Sequence, residues 1–206
     1  MDNYKTVKHD SCEEMIERRS RFIGYCRPVK TQDEAISFIE EIRAMHRQAT
    51  HNVYAYILRN DNISRYSDDG EPAGTAGVPV LEVIKKEGLS DIAVVITRYF
   101  GGTLLGAGGL VRAYGKSAAL SINSAEKVQM IYCSIYAVKC DYSTYGKLEY
   151  LINNSGYILK DSLFENDVCL TVCVHDGNED KFIKEVNDIS GGSAEITLIT
   201  GEYIEN

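Results

Sequence analysis

The chain has 206 residues, of which 44% are hydrophobic, and it carries a formal net charge of −8 at pH 7. This length suits one large or two small domains, and this apolar share is that of an ordinary soluble globular protein. No apolar run approaches the roughly 20 residues of a membrane helix, and the first residues do not form a secretion signal. We therefore expect a cytoplasmic protein without a membrane partner.

The charge is unevenly distributed. Residues 1–130 hold 17 Lys and Arg against 17 Asp and Glu, whereas residues 131–206 hold 5 against 13. Because phosphate repels an acidic surface, we expect any nucleic-acid contact to come from the first part.

The six cysteines show no CxxC pair, and four of them lie in apolar, strand-like runs. Such cysteines are typical buried hydrophobes of a reducing compartment, and they lack the spacing of a zinc site. We expect free thiols, no bound metal and no cofactor.

The first part begins with strands. Residues 4–8 and 13–28 read as strands, and the second range bends into a hairpin near its arginines. These arginines are either a solvated face or a phosphate contact: Arg18, Arg19 and Arg21.

A capping box at residues 31–34 then starts a helix, and strands follow at residues 52–58 and 63–67. The apolar face of this helix is predicted at Ala35, Phe38, Ile39, Ile42 and Met45.

Two glycine-rich loops follow, at residues 69–79 and 101–109, and each leads into a helical pattern. Glycine loses the most backbone freedom on folding, so such loops are expected where the chain bends sharply or approaches something closely. Between them, residues 92–99 lack polar alternation, which predicts a central strand that is covered on both faces.

Thr75 is interpreted as the cap of the helix after the first loop, and Gly88 as its end. That helix is expected to bury Ala76, Val80, Val83 and Ile84. The helix after the second loop is expected to bury Leu110, Val111, Tyr114, Ala118 and Ile122.

The second loop is a candidate anion site. Backbone N–H groups at a glycine-rich helix start attract anions, and three cations lie nearby, namely Arg98, Arg112 and Lys116. The loop contributes Gly101, Gly102, Gly106, Gly108 and Gly109. The alternative is that these glycines only allow a tight turn and close helix packing.

The first loop supports a different hypothesis. Asp69, Glu71, His51 and Thr75 could surround a small anionic substrate, with the carboxylates acting as acid and base. Alternatively, carboxylates beside glycine and proline form turns by bonding their own backbone, and His51 has a structural role. Tyr99 and Phe100 either stack on a base or pack in the core.

After residue 128 the pattern changes to strand, helix, strand, strand, helix, strand, at residues 131–141, 144–154, 157–164, 167–175, 178–189 and 195–201. This βαββαβ succession predicts a ferredoxin-like domain. We therefore expect an α+β protein with domains at residues 1–128 and 129–206.

Three long motifs carry a resemblance to a known family. They are ATHxxxAY at residues 49–56, DDGEPAGTAGVP at residues 68–79 and RYFGGxxLGxGGLxRAY at residues 98–114. They closely resemble the Impact/YigZ-like family, and the whole chain is similar to its bacterial two-domain members.

The resemblance implies a first domain similar to domain IV of elongation factor G and to the second domain of a small-subunit ribosomal protein. It implies a second domain similar to domain V of that elongation factor, and a link to translation. We expect a non-enzymatic, translation-associated regulator that binds RNA or a ribosome-associated partner, with Tyr99 and His51 beside the cationic loop. The alternatives are an enzyme for a phosphate-bearing small substrate and a protein-binding adaptor.

Overall fold

The computed structural model describes residues 2–60 and 62–205. The chain forms two compact units, one of residues Tyr4–Gln129 and the other of residues 130–205 with residues 2 and 3. This division falls between residues 129 and 130. The boundary expected from the sequence lies one residue earlier, between residues 128 and 129. Among the described helices, none is long and apolar enough to cross a membrane.

The first unit is built on a five-stranded sheet with the order β2-β3-β6-β4-β5, in which all neighbours are antiparallel. The strands of the first unit are β1 (Tyr4–Val7), which lies outside this sheet, β2 (Ser11–Glu17), β3 (Ser20–Pro28), β4 (His51–Leu58), β5 (Ile63–Ser67) and β6 (Ile92–Tyr99). Its helices are α1 (Gln32–Met45), α2 (Gly77–Lys86) and α3 (Ala107–Ser124). The mixed α and β fold class expected from the sequence is confirmed.

The central strand β6 is buried on both faces, as its unbroken apolar sequence predicts. Ile92, Val94 and Ile96 belong to a core that contains the apolar residues of α2 and α3. Ala93 and Val95 belong to a second core that contains those of α1. Because side chains alternate along a strand, neighbouring residues of β6 reach opposite sides of the sheet.

Two residues that were expected in apolar helix faces are exposed instead. Met45 is 56% exposed at the end of α1, and Val111 is 41% exposed on α3. Each lies at the margin of its stripe, where helical spacing alone does not decide burial.

The cap of α2 also differs from the prediction. The Thr75 hydroxyl donates to the carbonyl oxygen of Pro72 and does not cap the helix. The carboxylate of Asp68 accepts from the backbone N–H groups of Gly74, Ala76 and Gly77, so a residue earlier in the loop caps this helix.

The second unit follows the expected βαββαβ succession. It contains β7 (Lys127–Cys140), which begins in the first unit, then α4 (Tyr142–Asn154), β8 (Ile158–Phe164), β9 (Val168–His175), α5 (Glu179–Ser190) and β10 (Glu195–Glu205). These strands pair antiparallel in the order β10-β7-β9-β8. Leu148, Ile152, Phe182 and Val186 attach the two helices to one face of this sheet.

The cysteines are free thiols, as expected from their sequence context. Cys26, Cys133, Cys140 and Cys173 are buried and Cys169 is half-buried, whereas Cys12 is exposed on β2.

Candidate functional site

Two hollows flank the second glycine loop of the first unit. The apolar cavity has a volume of about 390 Å³ and is lined by Thr50, His51, Glu71, Pro72, Arg98, Phe100, Leu104, Leu105, Gly106, Ala107 and Leu110. The basic hollow has a volume of about 210 Å³ and is lined by Glu17, Arg18, Leu105, Gly109, Arg112, Ala113 and Lys116. Leu105 lines both, so the two hollows are adjacent.

A buried ion pair lies at the polar side of the apolar cavity. Arg98, at the end of β6, is 5% exposed, and Glu71, from the first glycine loop, is 8% exposed. The Nη1 atom of Arg98 donates to the Oε1 atom of Glu71 over 2.5 Å. The same oxygen accepts from the hydroxyl of Tyr114 over 2.7 Å. Burial, followed by the charge of Glu71, raises the pKa of the Tyr114 phenol, so this group keeps its proton and remains a donor.

Two further side chains complete this polar cluster. The Nη2 atom of Arg98 lies 3.3 Å from the hydroxyl of Ser20, whereas its Nε atom is buried without a hydrogen-bond partner in the described chain. The Nδ1 atom of His51 lies 2.7 Å from the carbonyl oxygen of Asp69. Since a carbonyl oxygen only accepts, Nδ1 carries the proton. The Nε2 atom of His51 lies 3.7 Å from Glu71, which is too long for a hydrogen bond.

Two exposed apolar side chains border the apolar cavity. Leu104 is 81% exposed and Phe100 is 46% exposed. The Phe100 ring lies over the Arg98 guanidinium, with 5.6 Å between the guanidinium carbon and the ring centroid. Its backbone N–H donates to the hydroxyl of Thr50 over 3.0 Å, which fixes the chain at this point.

The basic hollow holds three exposed cations and one carboxylate. Arg112 and Lys116 stand one turn apart on α3, and Arg18 comes from the turn between β2 and β3. None of these three cations forms an ion pair with any residue that the structure describes. With Glu17 counted, the lining carries a formal charge of +2, which favours an anion.

Gly101 allows the turn between β2 and β3 to place Arg18 in the basic hollow. A Cβ atom on Gly101 would lie 2.0 Å from the backbone carbon and oxygen of Arg19. Only glycine therefore allows the β2–β3 turn to approach the second loop this closely.

The other loop glycines have different roles. Gly102 and Gly106 have positive φ angles of 79° and 74°, which favour glycine. Gly106 precedes α3 without a side-chain cap, and no acidic residue lies in the first turn of that helix. A Cβ on Gly108 would meet only the end of Arg112, and one on Gly109 would meet Leu105. Thus Gly101 is needed for close approach, and Gly102 and Gly106 are needed for their backbone conformation. Gly108 and Gly109 only keep the side-chain volume at the start of α3 small.

The structure separates two predicted site residues from Arg112 and Lys116. Arg98 lies in the apolar cavity, and its charge is paired with Glu71. Tyr99 projects to the other face of the sheet, where its hydroxyl lies 2.9 Å from the Nδ1 atom of His46. Neither residue belongs to the basic hollow.

The four residues of the acid–base hypothesis do not surround one cavity. His51 and Glu71 line the apolar cavity, whereas Asp69 and Thr75 do not. The Asp69 carboxylate accepts from the Asn52 backbone N–H over 2.6 Å and from Arg43 over 3.3 Å. These contacts are those of a structural carboxylate, and they leave Glu71 and His51 as the polar groups of the cavity.

Several lining residues were not identified from the sequence. The leucines at positions 104, 105 and 110 lie within apolar patterns, so their spacing gave no functional signal. Ser20, which contacts Arg98 but lines neither hollow, lies far from it in the chain and was also not identified. Within residues 2–60 and 62–205, no group of three or more His, Cys, Asp and Glu side chains is placed to hold a metal ion.

Each of the two units matches the model of a known protein family. The model of the Impact N-terminal domain matches residues 18–122, and that of a domain of unknown function (DUF1949) matches residues 138–193. A crystal structure described as that of a hypothetical protein shares 30% identity, with a TM-score of 0.63 and coverage of 97% of this chain and 98% of that one.

Relatives from two bacteria cover most of the chain. The IMPACT family member YvyE of Bacillus subtilis is 40% identical over 100% of this chain and 95% of its own length. The IMPACT family member YigZ of Escherichia coli is 32% identical over 88% of this chain and 91% of its own length. The protein IMPACT homolog of Dictyostelium discoideum is 34% identical, but over only 46% of this chain and 28% of its own length. With its first unit matched by the Impact domain and its full length by a bacterial relative, the chain belongs to the IMPACT family.

Proposed function

We propose that this protein is a translation-associated regulator whose first unit binds RNA through the basic hollow. The proposal rests on three exposed cations that lie together beside the second glycine loop, namely Arg18, Arg112 and Lys116. None of the three has a carboxylate partner in the described chain. Phosphate contacts of this kind supply most of the sequence-independent affinity for nucleic acids. The link to translation comes from family membership, and a cytoplasmic location agrees with it.

The loop backbone supports the same site. No side chain that the structure describes caps the start of α3. Gly106 and Ala107 line the apolar cavity at this point, and Gly109 lines the basic hollow. Backbone N–H groups at such a helix start add to the attraction for phosphate. Arg112 and Lys116 would contact the RNA backbone, and Arg18 would contact it from the opposite side of the hollow.

The test is a salt titration of RNA binding by the full-length protein. We expect the double substitution Arg112→Ala and Lys116→Ala to weaken binding of a single-stranded RNA. Since each phosphate contact on a single strand contributes about 0.7 to the slope of log affinity against log salt, the slope should fall by about 1.4. Fluorescence anisotropy of a labelled RNA at several salt concentrations measures both quantities.

Lys147→Ala with Lys184→Ala is the matched control, because both lysines are exposed and lie in the second unit. It removes the same charge and should leave the affinity and slope at the wild-type values. Equal affinities and slopes for the two double variants would refute the assignment. A wild-type protein that binds no RNA would also refute it and would direct attention to a protein partner.

A further inference from the structure

We propose that the apolar cavity takes one unstacked nucleobase of the RNA whose phosphates contact the basic hollow. This inference rests on the proposed function and adds a second subsite to it. It concerns residues that contribute nothing to phosphate binding, namely Phe100, Leu104 and the other apolar side chains of the cavity.

The shape of the cavity suits a single base. Its volume of about 390 Å³ lies near the lower end of the 300–1,000 Å³ that is typical of small-molecule sites. Pro72, Leu105 and Leu110 offer apolar walls, and His51, Glu71 and Arg98 lie together on the polar side. A nucleobase has the same combination of apolar faces and hydrogen-bonding edges.

Phe100 is suited to stack on that base. One side of its ring lies over the Arg98 guanidinium, and nearly half of the side chain remains exposed. The hydrogen bond from its backbone to Thr50 holds it in place. An aromatic side chain that is held at the mouth of a cavity is the usual platform for an unpaired base, because every base has a face that can stack.

Charge neutrality inside the cavity separates the roles of the two hollows. Arg98 and Glu71 neutralise each other, so the cavity offers no free cation to a phosphate. The adjacent basic hollow does, and Leu105 forms part of both walls. A nucleotide can therefore place its uncharged base on one side of Leu105 and its charged backbone on the other.

A protein side chain is the competing occupant of an apolar cavity. The neighbouring cations favour a nucleotide base, because three exposed positive charges attract the phosphates attached to it and do not attract an apolar protein side chain. RNA is therefore the proposed occupant, and a protein occupant is one outcome of the test.

The experiment compares two RNA oligomers of equal length, one with bases and one with abasic residues, on the full-length protein. We expect the wild-type protein to bind the base-containing oligomer more tightly. Phe100→Ala should weaken that binding by about 5- to 140-fold, the range of one lost stacking contact, and leave binding of the abasic oligomer unchanged. Anisotropy titrations at one salt concentration measure both affinities.

A second variant fills the cavity instead of opening it. Ala107 is exposed and lines the cavity, so Ala107→Trp should block base entry without disturbing the core. Phe164→Ala in the second unit is the matched control for Phe100→Ala, since Phe164 is 51% exposed. Thermal melting of each variant verifies that it is folded.

The outcomes separate this inference from the proposed function. Loss of the base preference in Phe100→Ala and Ala107→Trp, with abasic binding retained in Phe100→Ala, supports the base site. Equal wild-type affinity for the two oligomers overturns the base site and leaves phosphate binding intact. A preference that survives in both variants also overturns it, because the base is then bound elsewhere. A wild-type protein that binds neither oligomer overturns both proposals and favours a protein occupant.

Discussion

Arg98 and Glu71 are oppositely charged residues of the first unit, and both are almost fully buried. The guanidinium has Glu71 and Ser20 as partners, and the carboxylate has Arg98 and Tyr114. A buried charge that loses its partner retains the full cost of its desolvation, whereas a well-packed apolar replacement of both partners removes that cost. The pair therefore fixes the first glycine loop to the end of β6.

We expect Glu71→Ala to lower the free energy of unfolding by about 3–5 kcal/mol, because it leaves Arg98 buried and unpaired. Adding Arg98→Met should restore part of that loss. The control is Glu82→Ala, which removes an exposed pair with Lys85 and should cost less than about 1 kcal/mol. Urea denaturation measures all three, and similar losses for Glu71→Ala and Glu82→Ala would contradict the role of burial.

His46 is a second residue whose surroundings change its chemistry. Its ring lies between two tyrosines, with the Tyr25 hydroxyl 2.6 Å from Nε2 and the Tyr99 hydroxyl 2.9 Å from Nδ1. Burial, and then the positive charge of Arg21, lower the pKa of His46 below its ordinary value of 6.5.

Because its folded pKa is lowered, the unfolded state binds the His46 proton more tightly. The stability that neutral His46 contributes is thus complete above pH 6.5 and is lost as the pH falls through the lowered value. We expect His46→Gln to lose less stability than the wild type between neutral and mildly acidic pH. Urea denaturation at a series of pH values measures this, with His9→Gln as control. Parallel profiles for wild type and His46→Gln would show that the site does not titrate differently on folding.

At the scale of elements, the contact between the β2–β3 turn and the second glycine loop decides where the first unit places its cations. The turn contains Arg18 and Arg19 at positive φ angles of 44° and 68°. Gly101 packs directly on its backbone, and the Ser20 hydroxyl lies 3.3 Å from the Gly101 nitrogen. Backbone cannot yield as the end of a side chain can, so this contact tolerates little added volume.

We expect Gly101→Ala to destabilise the protein by about 1–3 kcal/mol, the usual cost of overpacking, and to weaken the proposed RNA binding by displacing Arg18. Gly146→Ala is the contrasting change, because a methyl group added to this residue of α4 would have nothing within 4 Å. It should stabilise the protein by about 0.5–1 kcal/mol through helix propensity. Thermal unfolding ranks the two variants, and a neutral Gly101→Ala would contradict the close approach.

For the complete chain, the overall charge conceals the feature on which the proposed RNA binding rests. Residues 1–130 are neutral in total and residues 131–206 carry the entire net charge of −8. The basic hollow is nevertheless positive, because its three cations lack ion-pair partners in the described chain. Several carboxylates elsewhere in the first unit are paired with other cations, as Glu14 is with Arg21 and Glu41 with Arg27. Local pairing of charges, and not the total charge, therefore sets the electrostatic field around the basic hollow.

Much of the fold could be predicted from local patterns. The unbroken apolar run of β6, the Thr31 cap of α1 and the βαββαβ order of the second unit all appear in the structure. The cap of α2 was missed, because Asp68 reaches it from eight or nine residues away, beyond the usual range of capping patterns.

The candidate site was predictable only in part. The second glycine loop and the pair Arg112 and Lys116 were identified, since helical spacing places the two cations together. Arg98 was grouped with them because it is near in sequence. Alternation along β6 instead directs it to Glu71, and directs Tyr99 to His46 on the opposite face.

Residue types and spacings within short segments are enough to predict the family, the mixed fold class, the order of the elements and the two loops where glycine is needed. Three findings required the folded chain: Arg98 is neutralised, Arg18 joins Arg112 and Lys116, and an apolar cavity lies beside them. These contacts depend on strand order, register and close backbone packing between distant segments, which no local pattern specifies.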